Sequence, residues 1–122
     1  MPILNWPDWN RYIEDSCCCQ YCGLDGTQDI KLYRQMEIDH LIRGLHLTAF
    51  DRDNPLNKVV ACRACNCMKG TYDPSGGDNG PLTPERRTAL IDKARKYIEG
   101  RYKNNWDLDY EEMKREIKQR AA

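Results

Sequence analysis

At 122 residues, with 40% hydrophobic and 31% charged positions, the chain has material for one modest core and not for two. Nineteen Lys and Arg balance nineteen Asp and Glu, so net charge gives no sign of a nucleic-acid partner, and no apolar run approaches the ~20 residues of a membrane-spanning helix. The opening MPILNWPDWNRY has neither the basic start nor the apolar stretch of a signal peptide, which predicts a soluble, cytoplasmic protein whose seven cysteines stay reduced.

In chain order, NWPDWNRYIEDS starts a short helix, with Asn5 as a cap and Pro7 in the first turn. Cys19-Gln-Tyr-Cys22-Gly23 follows, and the glycine eases a tight turn that calls for positive φ. Residues 30–39, IKLYRQMEID, mix apolar and polar side chains and predict one or two strand pieces. DRDNPLN is turn material, KVVAC a short β-branched strand, and RACNCMKGTY a short helix that Gly70 can end. The Gly/Pro-rich stretch 73–82 is a loop. Thr83 then caps a helix with Pro84 in its first turn, and Leu90, Ile91, Ala94, Tyr97 and Ile98 form its apolar stripe. A last helix is expected to begin near Asp109, with Glu112 completing a capping box and Tyr110, Met113 and Ile117 as its apolar line.

Charge is unevenly spread. Residues 1–30 hold one Arg and five acids, whereas 85–103 hold seven Lys and Arg and three acids. That basic helix is a candidate for lying along a phosphate backbone, against the plainer alternative of a solvated amphipathic face.

Two C-x-x-C pairs, Cys19/Cys22 and Cys62/Cys65, suit a tetrahedral four-thiolate zinc site. Such a closed site is a fastener with no open position for chemistry, and a core with one Phe needs a fastener. Redox or disulfide use is the lesser alternative. Cys17, Cys18 and Cys67 remain as spare thiols, although Cys18 could stand in for Cys19. Between and after the pairs lie Asp39-His40, Asn57 five residues before Cys62, Asn66 directly after Cys65, and Lys69-Gly70.

The order C-x-x-C, D-H, N-x-x-x-x-C-x-x-C-N-x-x-K-G over residues 19–70 resembles the HNH endonucleases, the ββα-metal nucleases. The resemblance implies an α+β fold in which a small ββα-metal core, about 19–72, is stapled by the four-cysteine zinc site and carries additional helices at both ends, the whole of 1–122 forming a single nuclease domain with the loop 73–82 before its C-terminal helices 83–122. It implies Asp39 and Asn66 as ligands of a catalytic divalent ion, His40 as general base and Asn57 as the residue that orients His40. Many members carry His where this chain has Asn66; an amide oxygen is a harder donor than imidazole, which favours Mg²⁺ or Mn²⁺ over Zn²⁺. Arg43, Arg63 and Lys69 are candidate phosphate contacts, each weighed against simple solvation, and His46 is read as structural or surface. The expected partner is DNA, nicked in one strand by a monomer or cut in both by a homodimer. The rival reading is a zinc-stapled module that binds nucleic acid or protein without cutting.

Overall fold

The computed structural model describes residues 8–43, 54–78 and 80–122, so the expected cap Asn5, the first-turn Pro7 and His46 lie outside the described residues. At its centre, strand β1 (Met36–His40) pairs antiparallel with strand β2 (Lys58–Cys62), Met36 opposite Cys62 and His40 opposite Lys58. Helix α3 (Arg63–Lys69) follows β2 with no linker, because the Cys62 sulfur serves as its N-cap and accepts from the Cys65 amide. It ends at Gly70, whose φ of 54° is open to glycine at little cost. The helix buries Cys65, Met68 and Lys69 against the strand pair. The protein is thus α+β, with a two-stranded sheet as its only sheet among the described residues.

Around this ββα unit lie helix α1 (Trp9–Glu14), a single helical turn α2 (Ile30–Tyr33), the long helix α4 (Pro84–Asn104) and helix α5 (Trp106–Ala121). The turn α2 departs from the strand expected across 30–39. Asp29 accepts from the Lys31 amide and starts a helix, Gln35 then donates its amide back to Leu32, and only Met36 onward is extended. The sequence 54–57 does turn: Asn54 accepts from the Leu56 amide and a 3₁₀ turn runs over Pro55–Asn57.

Val59, Val60 and Ala61 of β2, with Leu41 and Ile42, pack in one cluster with Leu90, Ile91, Ala94 and Ile98 of α4. Cys19, Cys62 and Cys65 belong to the same cluster, so the apolar core and the thiol site are one body. Each buried Leu, Ile or Val contributes about 1.5–3 kcal/mol, too little from so few to offset chain entropy without the added fastener. Gly26 sits in the tightest part: a Cβ there would stand 2.7 Å from the Cys17 carbonyl oxygen and 2.8 Å from Met36 Cγ.

The outer edge of β2 is satisfied without a third strand. The Val60 amide donates to Asp15 Oδ2 at 2.9 Å, the Val60 carbonyl accepts from the Gln20 amide at 2.9 Å, and the Lys58 carbonyl accepts from Arg87 at 3.1 Å. Asp15, 5% exposed, is also held by Arg11 at 3.0 Å and Arg87 at 3.2 Å. One carboxylate therefore joins α1, β2 and α4.

Helix α4 has the expected start, Thr83 Oγ1 accepting from the Arg86 amide. Helix α5 begins at Trp106, three residues earlier than expected, because Asn105 (φ −133°, ψ −94°) breaks the chain from α4 and Asp109 then falls inside the first turn. It buries no residue; Tyr110, Met113 and Ile117 are all exposed. No helix among the described residues is long and apolar enough to cross a membrane.

Candidate active site and metal cluster

The first cysteine pair sits in a tight knuckle. The Gly23 amide donates to the Cys19 carbonyl at 2.8 Å and the Cys19 amide to the Leu24 carbonyl at 2.9 Å, and Gly23 adopts φ 81°, the positive value its position called for. The second pair straddles the end of β2 and the first turn of α3. Pairing of Gln20 with Val60 brings the two together, and the four sulfurs of Cys19, Cys22, Cys62 and Cys65 lie within 4.8 Å of one another. Cys22 and Cys62 are 3.8 Å apart, sulfur to sulfur. Sulfurs held at about 2.3 Å from a tetrahedral zinc stand about 3.8 Å from each other, whereas a disulfide needs about 2.05 Å. The donor set and spacing therefore fit a zinc ion.

The electrostatics agree. Hydrogen bonding from Cys22, then Cys62 and Cys65, draws the Cys19 thiol far below the ordinary range, while proximity to Cys19 drives Cys62 and Cys65 up. Four thiols this close cannot all ionise unless a cation joins them. Tyr102 of α4 donates to Cys65 Sγ at 3.2 Å and ties the long helix to the cluster. Cys17, Cys18 and Cys67 are outside it.

Asp39 and His40 close β1, where the alternation of a strand sends their side chains to opposite faces. Asp39 shares its face with Glu37, and this face meets the α3 side that carries Asn66 and Lys69. Two rungs join them. Asn66 Nδ2 donates to Glu37 Oε1 at 2.7 Å, and Lys69 Nζ lies 3.1 Å from Asp39 Oδ2. The first rung fixes the Asn66 amide, because a carboxylate accepts only from the NH₂ side, and so leaves Asn66 Oδ1 directed away from Glu37. Asp39 Oδ2 also accepts from Tyr21 OH at 2.7 Å. Its Oδ1 has no hydrogen bond or ion pair with a described residue. Asp39 and Asn66 thus each keep one side-chain oxygen, Oδ1, outside these contacts and are steadied through the other atom.

Asn57, fully buried, accepts from the Ile42 amide at 2.8 Å through Oδ1 and donates to the Ile42 carbonyl at 3.0 Å through Nδ2, while its own carbonyl accepts from the Leu41 amide at 2.8 Å. It thereby clamps the backbone that follows His40. The His40 carbonyl accepts from Lys69 Nζ at 2.9 Å, and its imidazole, partly buried, makes no hydrogen bond with a described residue.

The candidate phosphate contacts separate by exposure. Arg43 is exposed and Arg63, 67% exposed, stands 3.7 Å from Glu37, whereas Lys69 is 1% exposed and engaged with Asp39 and His40. Lys69 is an internal strut. The basic helix α4 turns its arginines inward as well: Arg86 binds the Gly80 and Asp78 carbonyls, Arg87 binds Asp15 and Lys58, Arg95 the Gln20 carbonyl at 2.7 Å, and Arg101 the Met68 carbonyl at 2.7 Å. The charge that made 85–103 look like a phosphate-facing surface is largely committed to holding the helix on the fold. Lys93, Lys96 and Lys103 are the exposed cations of that stretch. Sequence reasoning assigned no role to Tyr21, Glu37 or Asp15. Only Glu37 carried a signal, its two-residue spacing from Asp39.

Residues 19–71 match the family model described as HNH endonuclease. No curated protein and no solved structure matches the chain significantly.

Proposed function

We propose, with the HNH endonuclease match over 19–71 as premise, that the chain is a metal-dependent endonuclease that hydrolyses DNA phosphodiester bonds. The observation that carries the reading is the joining of Asp39-His40 at the end of β1 to the Asn66 face of α3. Such an arrangement orients two oxygen donors on one face of the strand end, with His40 the next residue in the chain.

Asp39 and Asn66 would hold Mg²⁺ or Mn²⁺ through their Oδ1 atoms, and the ion would supply Lewis-acid stabilisation of the scissile phosphate and the leaving 3′ oxygen. A ring nitrogen of His40 takes the proton from the attacking water, the general-base role that an imidazole commonly fills. Lys69 and Asn57 hold the backbone at and just after His40, which reduces the motion that would spoil the attack geometry. Zinc on Cys19, Cys22, Cys62 and Cys65 keeps β2, α3 and the knuckle together. Arg43 and Arg63, both exposed, supply phosphate contacts. One such site per chain suits a nick by a monomer, and paired cuts by a homodimer, in the cytoplasm as one nuclease domain.

Purified zinc-loaded protein is tested on supercoiled plasmid in EDTA, Mg²⁺ and Mn²⁺, beside His40→Ala at matched zinc content. Nicked or linear product that requires both the divalent ion and His40 is the expected result. Binding without cleavage of plasmid, branched and single-stranded DNA would replace the nuclease reading with a zinc-stapled binding module.

A further inference from the structure

We infer that Tyr21, the residue inside the first zinc knuckle, is a positioning residue for the cation-binding carboxylate of Asp39, so that the zinc cluster sets the orientation of a ligand to the second metal. The inference rests on the nuclease reading, in which Asp39 holds the divalent ion.

Tyr21 stands between Cys19 and Cys22, and the backbone around it is fixed by the Cys19–Leu24, Gly23–Cys19 and Gln20–Val60 hydrogen bonds. The residue is 2% exposed and its hydroxyl donates to Asp39 Oδ2 at 2.7 Å. A buried phenol needs some acceptor, and a backbone carbonyl would serve that need; here the acceptor is the carboxylate next to His40. A carboxylate on a free χ2 presents either oxygen to its surroundings. With Tyr21 on Oδ2, and Lys69 Nζ 3.1 Å from the same atom, Oδ1 is the oxygen left for a cation. The two donors differ in consequence. Lys69 brings a positive charge that opposes a nearby divalent ion, whereas the neutral phenol orients the carboxylate and leaves its charge undiminished.

The test is Tyr21→Phe, which removes one oxygen and keeps the ring. Zinc content is measured by mass spectrometry, Mn²⁺ affinity by the electron spin resonance of free Mn²⁺ in zinc-loaded protein, and plasmid cleavage as a function of Mn²⁺. We expect zinc content unchanged, the Mn²⁺ dissociation constant raised by about 10–100-fold, cleavage recovered at saturating Mn²⁺, and KM for DNA unchanged. A zinc-replete variant that binds Mn²⁺ as the parent does overturns the inference and leaves the nuclease reading standing. A parent that neither binds Mn²⁺ nor cuts DNA overturns both.

Should Tyr21→Phe lose zinc, the parent grown on 3-fluorotyrosine answers in its place. Mg²⁺ is then expected to shift one fluorine resonance, and Asp39→Asn to abolish that shift. A spectrum indifferent to Mg²⁺ while the parent still cuts overturns the inference.

Discussion

Replacing Asp15 with alanine tests whether one buried carboxylate holds the flanking helices on the sheet. The side chain is 3% exposed and meets Arg11 at 3.0 Å, Arg87 at 3.2 Å and the Val60 amide at 2.9 Å. Arg11 would keep Glu14 at 2.9 Å and the Pro55 carbonyl at 3.3 Å, and Arg87 the Lys58 carbonyl at 3.1 Å; for Arg87 that leaves no carboxylate, and the Nε of each arginine is buried without a partner. Removing one member of a buried ion pair costs about 3–5 kcal/mol, and stranding a buried amide about 1–3 kcal/mol. The two losses share one carboxylate and do not add in full, so about 3–5 kcal/mol is the expected total. Net stability of small domains is about 5–15 kcal/mol, which makes this a large fraction. Urea unfolding followed by circular dichroism, with zinc in excess so that metal occupancy is constant, should show a midpoint at least about 1 M lower. Asp15→Asn keeps an oxygen for Val60 and should lose less. A loss under about 1 kcal/mol in Asp15→Ala would refute the reasoning, since the arginines would then have been neutralised elsewhere or by solvent.

Stripping zinc with a strong chelator should unfold the strand–helix core, because structural zinc sites supply about 10–16 kcal/mol of apparent binding energy; circular dichroism before and after zinc is returned would check this. Gly26→Ala should destabilise by about 1–3 kcal/mol, since its Cβ would press on the Cys17 backbone and on Met36, and thermal melting reads the loss. Arg95→Met should reduce stability by about 1 kcal/mol through the lost bond to the Gln20 carbonyl. It should leave the salt dependence of DNA binding unchanged, whereas a phosphate contact would lower the slope. Burial and then the Cys17 charge push the Tyr12 hydroxyl up from 10.0 to about 12. The fold therefore favours its neutral form: that stability is complete below pH 10 and is lost as pH rises toward 12. Urea titrations at pH 9, 10 and 11 should show the decline, and Tyr12→Phe should make it shallower without abolishing it, because burial also pushes the Tyr21 and Tyr102 hydroxyls up.

The sequence is most legible where chemistry demands fixed spacing. Cys19, Cys22, Cys62 and Cys65 could be paired from their intervals alone, and β2 with α3 follows from a β-branched run that meets a cysteine turn. Local signals compete at Ile30–Tyr33, where alternation suggested a strand and the Asp29 cap favoured a helical turn. Lys69 was harder still. A lysine is almost never fully buried unless paired, and its partners Asp39 and His40 lie 30 and 29 positions earlier in the chain. The inward arginines of α4 bind backbone carbonyls, which carry no side-chain identity and so leave no trace in a sequence. Tyr21 shares that difficulty: nothing about an aromatic residue between two cysteines announces that its hydroxyl reaches a carboxylate on β1.

The side chains laid along the outer margin of β2 also govern what the molecule cannot recruit. An open strand is a template onto which any extended peptide can be added, and proteins guard against it with charge, bends or cover. Here a newcomer would have to displace Asp15 from the Val60 amide and Arg87 from the Lys58 carbonyl, and detach the knuckle at Gln20. Growth of the sheet on that side therefore begins with dismantling the thiol cluster. Two copies cannot join by adding strands at this margin, and loss of zinc would free the part of it that the knuckle covers at Gln20, leaving Asp15 and Arg87 as the remaining guard.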